Sequence, residues 1–169
     1  ILPEAPETVR IENLGLPPSI ATAYRRLLDV PAGMLLVVGP TGSGKTTTLY
    51  AGLQVIAEDE TRKVITVEDP VEYAIDGIQQ SAVRPDIGFT FGSAMRAFVR
   101  QDPDVILVGE MRDLETMHLA ITAAETGHLV FGTLHTVDAV QTVDRIVDVF
   151  PMHQQRSEEH TSELQSPYV

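Results

Sequence analysis

The stretch from Gly39 to Thr46 constrains the fold more than any other part of this chain. It reads GPTGSGKT and matches the pattern G-x-x-x-x-G-K-[ST], with the apolar run 34–38 before it and helix-forming residues after it. Glycines let backbone N–H groups curl around phosphate oxygens, and the N-terminus of the following helix adds a positive dipole end. A strand, a glycine-rich turn and a helix in this order predict a loop that binds the phosphates of a nucleotide.

The loop assigns chemistry to individual side chains. Lys45 would reach the β- and γ-phosphates, and the hydroxyl of Thr46 would bind Mg²⁺. The alternative is a glycine-rich turn between strand and helix that binds no ligand. The predicted nucleotide-binding residues are Gly39, Pro40, Thr41, Gly42, Ser43, Gly44, Lys45, Thr46 and Thr47.

Length and composition exclude several classes of protein. The 169 residues suffice for one domain with a sizeable core, and no apolar run approaches the ~20 residues that a membrane span needs. The formal net charge of −12 argues against a broad electrostatic footprint on nucleic acid. The chain has no cysteine, which fits a reducing compartment, and we expect a cytoplasmic protein with no transmembrane segment.

The order of predicted elements indicates the fold class. Apolar, β-branched runs alternate with segments of helical periodicity, which favours an α/β fold with a mostly parallel sheet covered by helices on both faces. Strands are predicted at 34–38, 64–67, 78–83, 105–108 and 128–133. Helices are predicted at 19–28 with Ser19 as N-cap, 45–57, 93–100, 114–126 and 139–150.

Two predicted strands end in acidic residues. Run 64–67 is followed by Glu68 and Asp69, and run 105–108 is followed by Gly109 and Glu110. Ligands of open α/β sheets bind beyond the carboxyl ends of the strands, so these acids should lie near the phosphate loop. An aliphatic strand that ends in an acid downstream of such a loop has the Walker B pattern, whose carboxylate holds Mg²⁺ directly or through water.

Four segments together resemble one family, the motor ATPases of type II secretion and type IV pilus systems. The segments correspond to the family's Walker A, aspartate, Walker B and histidine boxes. They are GPTGSGKTTTLY at 39–50, VITVEDPVEY at 64–73, RQDPDVILVGEMRDLET at 100–116 and TGHLVFGTLHT at 126–136. The resemblance implies a RecA-like P-loop core, ATP and Mg²⁺ as cofactors, and a hexameric ring.

The resemblance also assigns roles to acidic residues. Glu72 would orient or deprotonate the attacking water, and Glu110 would support Mg²⁺, so the catalytic set is Glu72, Glu110 and Lys45. Glu68 and Asp69 would hold the aspartate box or the metal shell, which makes Glu68 a further metal candidate beside Thr46 and Glu110. For Glu68 and Asp69, capping of a turn before a proline is an open alternative.

The same resemblance gives coupling roles to His128, His135 and Arg112. The two histidines would sense the γ-phosphate or relay its presence to the neighbouring subunit, although a buried histidine with one hydrogen-bond partner is the simpler structural alternative. Arg112 would brace the metal site or contact a neighbour. We expect no arginine finger within the chain.

Both ends of the chain depart from the family pattern. Residues 1–18 carry four prolines and are predicted to be a linker remnant, and 19–155 are predicted to form an incomplete RecA-like ATPase domain. Residues 156–169 resemble a translated sequencing adapter, with a disordered polar tail as the alternative. We expect such a fragment to hydrolyse ATP poorly on its own.

The resemblance implies a motor that acts on the cytoplasmic side of the bacterial inner membrane. Its partners would be further copies of the chain, an inner-membrane platform protein and a pilin or pseudopilin system, with no nucleic acid. Segments 126–136 and 145–151 favour pilus retraction, whereas 68–78 favours assembly or secretion, whose members often carry a four-cysteine zinc motif. A conjugation-type or DNA-handling ring ATPase and a non-hydrolysing ring subunit remain alternatives.

Overall fold

The computed structural model describes residues 9–136 and 138–149, and within them a five-stranded sheet forms the centre of the molecule. The order of the strands is β1-β5-β4-β2-β3, and each neighbouring pair is parallel. The predicted mostly parallel α/β sheet is therefore confirmed. The strands are β1 (Gly33–Val38), β2 (Val64–Glu68), β3 (Ile78–Ala82), β4 (Val105–Val108) and β5 (Leu129–Leu134).

Five helices accompany the sheet in the described residues. They are α1 (Pro18–Leu28), α2 (Lys45–Ala57), α3 (Phe91–Phe98), α4 (Leu114–Glu125) and α5 (Ala139–Val149). Side chains cap the first turns of α3 and α4. The Thr90 hydroxyl accepts from the N–H of Ser93, 3.2 Å away, and Asp113 accepts from the N–H of Thr116, 2.8 Å away.

Two helices begin at residues other than those predicted. Ser19 does not cap α1, because the helix already starts at Pro18, whose fixed φ and missing N–H suit the first helical position. Helix α3 starts at Phe91 because Thr90 forms a capping box with Ser93, the residue at which the sequence placed the start. The end of that predicted helix is a separate 3-10 turn, Val99–Gln101.

Strand β4 shows why helices cover both faces of the sheet. Its four residues are at most 1% exposed, and alternate side chains point to opposite faces. Val105 and Leu107 pack with core residues of α1 and α2, whereas Ile106 and Val108 pack with those of α3 and α4. Burying one such aliphatic side chain stabilises the fold by about 1.5–3 kcal/mol. Strand β4, whose side chains are all buried, therefore contributes strongly to the stability of the sheet.

The first described residues also belong to the core. Val9 and Ile11, within the stretch predicted as a linker, are 8% and 1% exposed and pack against the α1 and α2 side of the sheet. The remainder of that stretch at 1–8 and the predicted adapter tail at 156–169 lie outside the described residues. Within the part of the chain that the structure describes, no helix is both long and apolar enough to cross a membrane.

Candidate active site

The candidate site lies where the parallel strands end. The phosphate loop follows β1, Asp69 and Glu72 of the aspartate box follow β2, Glu110 follows β4 and His135 follows β5. The carboxyl ends of these strands meet at one edge of the sheet, and the side chains enclose a cavity of about 540 Å³. Its lining includes Thr41, Gly42, Gly44, Lys45, Thr46, Thr47, Tyr50, Glu68, Asp69, Glu72, Gly109, Glu110, Arg112 and His135.

The backbone of the phosphate loop has a shape that only glycine adopts easily. Gly42 and Gly44 have φ angles of 80° and 88°, and no described atom outside their chain neighbours lies within 4 Å of a Cβ added at either residue. The loop is therefore strained for other residues and open towards the cavity. A Cβ at Gly39 would meet the Ser43 hydroxyl at 2.6 Å, so this end of the loop is closely packed.

Helix α2 presents its N-terminus to the same cavity. Its N-cap is Gly44, and among the described residues no side chain caps it, so the N–H groups of the first turn are available to an anion. Lys45 Nζ donates to the carbonyl oxygens of Gly39 and Pro40, at 2.8 and 3.0 Å. The ammonium group thus lies over the loop, where the phosphates of a nucleotide would fit.

The oxygen ligands at the site suit Mg²⁺ that arrives with a nucleotide. The described residues contain no group of three or more His, Asp or Glu side chains that could hold a metal ion by themselves. Mg²⁺ in nucleotide sites is usually held by one or two protein oxygens together with phosphate oxygens and water. The Thr46 hydroxyl and the Glu110 carboxylate, both lining the cavity, match that requirement.

The structure brings together three predicted residues, Glu110, Arg112 and His135. The Glu110 carboxylate accepts from Arg112 at 2.5 Å and lies 2.9 Å from Nε2 of His135. The hydrogen bond and the charge of Arg112 hold the pKa of Glu110 below its ordinary value, despite partial burial, and keep the group ionised. The side chain of Glu110 is only 16% exposed, whereas those of Arg112 and His135 are 69% and 45% exposed.

Glu68 has its oxygens engaged by protein groups. It is 3% exposed, and its carboxylate accepts from the Thr66 hydroxyl at 2.5 Å, from Gln80 at 3.4 Å and from the hydroxyl of Tyr50. These donors satisfy the carboxylate without a metal ion. Its position at the wall of the cavity was predicted, but its partner Tyr50 was not.

Glu72 lies on the loop after β2, exposed and lining the main cavity. A second cavity of about 250 Å³, lined by Glu72, Tyr73, Thr46, Thr47 and others, adjoins it. The backbone N–H of Glu72 donates to the hydroxyl of Tyr50, 3.2 Å away. The backbone of Glu72 is thus hydrogen-bonded to a side chain of α2, and Glu72 is part of the cavity wall.

His128 lies elsewhere. It precedes β5, so it is at the amino end of the strand, and its carbonyl accepts from the N–H of Gly33 at the amino end of β1. Its Nδ1 lies 2.9 Å from the carbonyl oxygen of Ala123 at the end of α4. His128 is outside the nucleotide cavity as the described residues form it, and this position gives the predicted sensor role no support.

Comparison with known proteins identifies the family. The family model described as "Type II/IV secretion system protein" matches residues 1–160. The chain belongs to this family. Its core is therefore that of the secretion and pilus ATPases, as the four sequence boxes predicted.

Relatives within the type II/IV secretion family agree. The type II secretion system protein HxcR of Pseudomonas aeruginosa is 52% identical over 141 residues, covering 83% of this chain and 30% of HxcR. The type IV pilus retraction ATPase PilT of the same organism is 50% identical over 149 residues, covering 86% of this chain and 42% of PilT. The chain thus spans less than half the length of these relatives.

A solved structure of this family has the same fold. The crystal structure of the pilus retraction motor PilT with bound ADP superposes with a TM-score of 0.82 at 46% sequence identity. The match covers 91% of this chain and 45% of that one. A nucleotide is therefore bound by a relative that shares this fold.

Proposed function

We propose that the chain is the nucleotide-binding core of a Mg²⁺-dependent motor ATPase. The observation that carries this proposal is the single cavity shared by the phosphate loop, Glu72, Glu110 and His135. Phosphoryl transfer to water needs positioning and charge stabilisation more than covalent chemistry, and each of these groups can supply one of the two.

Each residue has a distinct task in this proposal. The N–H groups of the phosphate loop and the ammonium of Lys45 bind the β- and γ-phosphates of the substrate. Thr46 and Glu110 hold Mg²⁺, which when bound neutralises charge on the phosphate oxygens. Glu72 orients the attacking water and accepts its proton.

His135 and Arg112 are proposed to report on the nucleotide. Both contact Glu110, and both are exposed enough to reach a γ-phosphate or a neighbouring subunit. A phosphate that attracts the guanidinium of Arg112 or a ring N–H of His135 weakens the contact of that side chain with Glu110, so the arrangement links the phosphate to a movable side chain. We place His128 outside this mechanism because it lies at the opposite edge of the sheet.

We further propose that the chain works in a hexameric ring on the cytoplasmic side of the inner membrane, against a membrane platform protein. The work would be the assembly or retraction of a pilin or pseudopilin filament. Relatives at about 50% identity include a type II secretion protein and a pilus retraction ATPase, so overall similarity favours neither direction. Segments 126–136 and 145–151 resemble the retraction ATPases, so we favour pilus retraction.

Phosphate release by the full-length protein tests the site. Lys45→Ala should abolish both MgATP binding and turnover, whereas Glu72→Gln should keep MgATP binding and lose more than about 100-fold in kcat. Binding is followed with a fluorescent ATP analogue and turnover with a coupled phosphate assay.

Two matched substitutions serve as controls. Lys63→Ala repeats the lysine-to-alanine change of Lys45→Ala just before the amino end of β2. Glu58→Gln repeats the glutamate-to-glutamine change of Glu72→Gln just after the carboxyl end of α2. Both residues are distant from the cavity. Both controls should turn over ATP at the wild-type rate. Ordinary turnover by Lys45→Ala, or MgATP binding without phosphate release by the wild-type protein, would refute the proposed ATPase.

A further inference from the structure

The hydroxyl of Tyr50 joins the phosphate-loop helix to the loop that carries Glu72. Tyr50 lies on α2, is 1% exposed, and donates to the carboxylate of Glu68 at the end of β2. The same hydroxyl accepts from the backbone N–H of Glu72, 3.2 Å away. One oxygen atom thus bridges a helix, a strand end and a loop.

The direction of these hydrogen bonds follows from the groups involved. A carboxylate can only accept, so the phenol proton points to Glu68 and the lone pairs of the phenol oxygen face the N–H of Glu72. Burial and the hydrogen bond to Glu68 raise the pKa of Tyr50, which keeps the hydroxyl protonated. The Thr66 hydroxyl, 2.5 Å from the other oxygen of Glu68, sets the orientation of the carboxylate.

Gln80 on β3 holds the next part of the same loop. Its amide nitrogen donates to the carbonyl of Tyr73 at 3.1 Å and lies 3.4 Å from Glu68. Its amide oxygen accepts from the N–H of Ile75 at 2.8 Å. The loop is therefore held at residues 72, 73 and 75, and the hydroxyl of Tyr50 binds the backbone of Glu72 itself.

Tyr50 also lies on the helix that begins with the proposed phosphate-binding residues. It lies four residues after Thr46 on α2, so the two side chains occupy the same face of the helix, one turn apart. The helix that carries Lys45 and Thr46 and the loop that carries Glu72 are thereby connected by a buried polar contact. Displacement of the helix relative to β2 would displace Glu72 with it.

We propose that Tyr50 is a positioning residue that sets Glu72 over the phosphate site, and that Glu68 acts through Tyr50 and not as a ligand of Mg²⁺. This inference rests on the role proposed above for Glu72. It concerns the position of the water-orienting group, Glu72. Nucleotide binding remains the task of the phosphate loop and Lys45.

Tyr50→Phe in the full-length protein tests the inference, because it removes the hydroxyl and keeps the ring. We expect kcat to fall about 10- to 100-fold, as for a misplaced catalytic group, with KM for ATP within about threefold of the wild type. Combined with Glu72→Gln, the substitution should cause no further loss, since both act on one group. A kcat within twofold of the wild type, or a multiplicative loss in the double variant, would overturn the inference.

Tyr24→Phe is the matched control. Tyr24 is also buried, and its hydroxyl donates to the carbonyl of Thr48 on α2 at 2.8 Å, away from Glu72. Tyr24→Phe loses one buried phenol hydrogen bond, to the backbone of α2, and none to the loop of Glu72, so its kcat should remain that of the wild type while its melting temperature falls. An equal fall in kcat for both tyrosines would show a general effect of stability and contradict the positioning role.

Glu68→Gln separates positioning from metal binding and gives a second readout if Tyr50→Phe folds poorly. If Glu68 acts through Tyr50, the variant loses kcat while the Mg²⁺ concentration for half-maximal activity stays within about twofold. A rise of about tenfold or more in that concentration would make Glu68 a metal ligand and overturn the inference.

Failure of this inference can be told apart from failure of the proposed function. If the wild type hydrolyses ATP, Lys45→Ala does not, and Tyr50→Phe matches the wild type, the ATPase stands and the positioning role falls. If the wild type binds MgATP but releases no phosphate, the proposed function falls and the inference falls with it.

Discussion

The rings of Tyr50 and Tyr73 meet edge to face, with centroids 4.6 Å apart and planes at 85°, yet their hydroxyls differ in hydrogen bonding. The hydroxyl of Tyr50 has both a donor and an acceptor partner. The hydroxyl of Tyr73 is buried without a hydrogen-bond partner among the described residues. Two adjacent phenols therefore differ in what their oxygen atoms contribute to stability.

We predict that Tyr73→Phe stabilises the protein. Burial raises the pKa of Tyr73 to about 12, so at neutral pH the group is a protonated hydroxyl that has lost its hydration. Burying an unpaired hydroxyl costs about 1–3 kcal/mol, and the substitution removes this cost while keeping the ring contact. Thermal unfolding should show a higher melting temperature for Tyr73→Phe and a lower one for Tyr50→Phe. A loss of stability in Tyr73→Phe would indicate a partner for this hydroxyl.

Gly109→Ala is predicted to displace Glu110. A Cβ at Gly109 would lie 3.1 Å from both the Cα of Glu68 and the carbonyl oxygen of Val67, which are backbone atoms that cannot turn away. The ends of β2 and β4 must separate to admit the methyl group, at a cost of about 1–3 kcal/mol. Because Glu110 follows directly, kcat should fall along with the melting temperature.

Gly127→Ala distinguishes the two effects of that substitution. Gly127 has a φ of 111° and precedes β5 at the opposite edge of the sheet, with no described atom outside its chain neighbours within 4 Å of an added Cβ. Backbone strain should lower its melting temperature while kcat at a permissive temperature stays unchanged. If both glycine variants lose kcat in proportion to stability, displacement of Glu110 is not the cause.

The fold could be predicted because four of the five strands, all but β3, are mainly apolar runs. Much of the candidate site could be predicted because the carboxyl ends of parallel strands lie at one edge of the sheet. His128 shows that the spacing of two residues in the sequence does not by itself predict that both reach the same site. The six residues of β5 separate His128 from His135, and at about 3.3 Å per residue this strand places the two histidines at opposite edges of the sheet. Tyr50 was missed because a tyrosine within an apolar helix is indistinguishable from a core residue until Glu68 and Glu72 are placed beside it.

Asp113→Ala is predicted to destabilise α4. Asp113 accepts from the N–H and the hydroxyl of Thr116, at 2.8 and 2.9 Å, and its charge lies at the positive end of the helix dipole. Loss of such a cap costs about 1 kcal/mol. Asp113→Asn keeps an acceptor and should lose less, and urea unfolding of both variants measures the difference. Equal losses would mean that the charge, and not the hydrogen bond, supplies the stabilisation.

Arg112→Ala is predicted to change the pH dependence of stability. The hydrogen bond and the charge of Arg112 hold the pKa of Glu110 below its ordinary value of 4.5. A carboxyl whose pKa is lower in the folded state contributes stability that is present above its unfolded pKa and is lost as the pH falls through its folded pKa. The variant should therefore be less stable than the wild type near neutral pH, by less than about 1 kcal/mol because Arg112 is largely exposed.

The two stabilities should converge as the pH falls through the lowered pKa of Glu110, since protonation removes the Arg112–Glu110 ion pair in the wild type and the variant lacks that pair. Arg112→Lys, which keeps the charge but not the planar guanidinium, should lie between the two proteins at neutral pH. Unfolding by urea across a pH series measures all three. A difference between wild type and Arg112→Ala that persists undiminished in acid would show that Arg112 stabilises the protein by packing and not through Glu110.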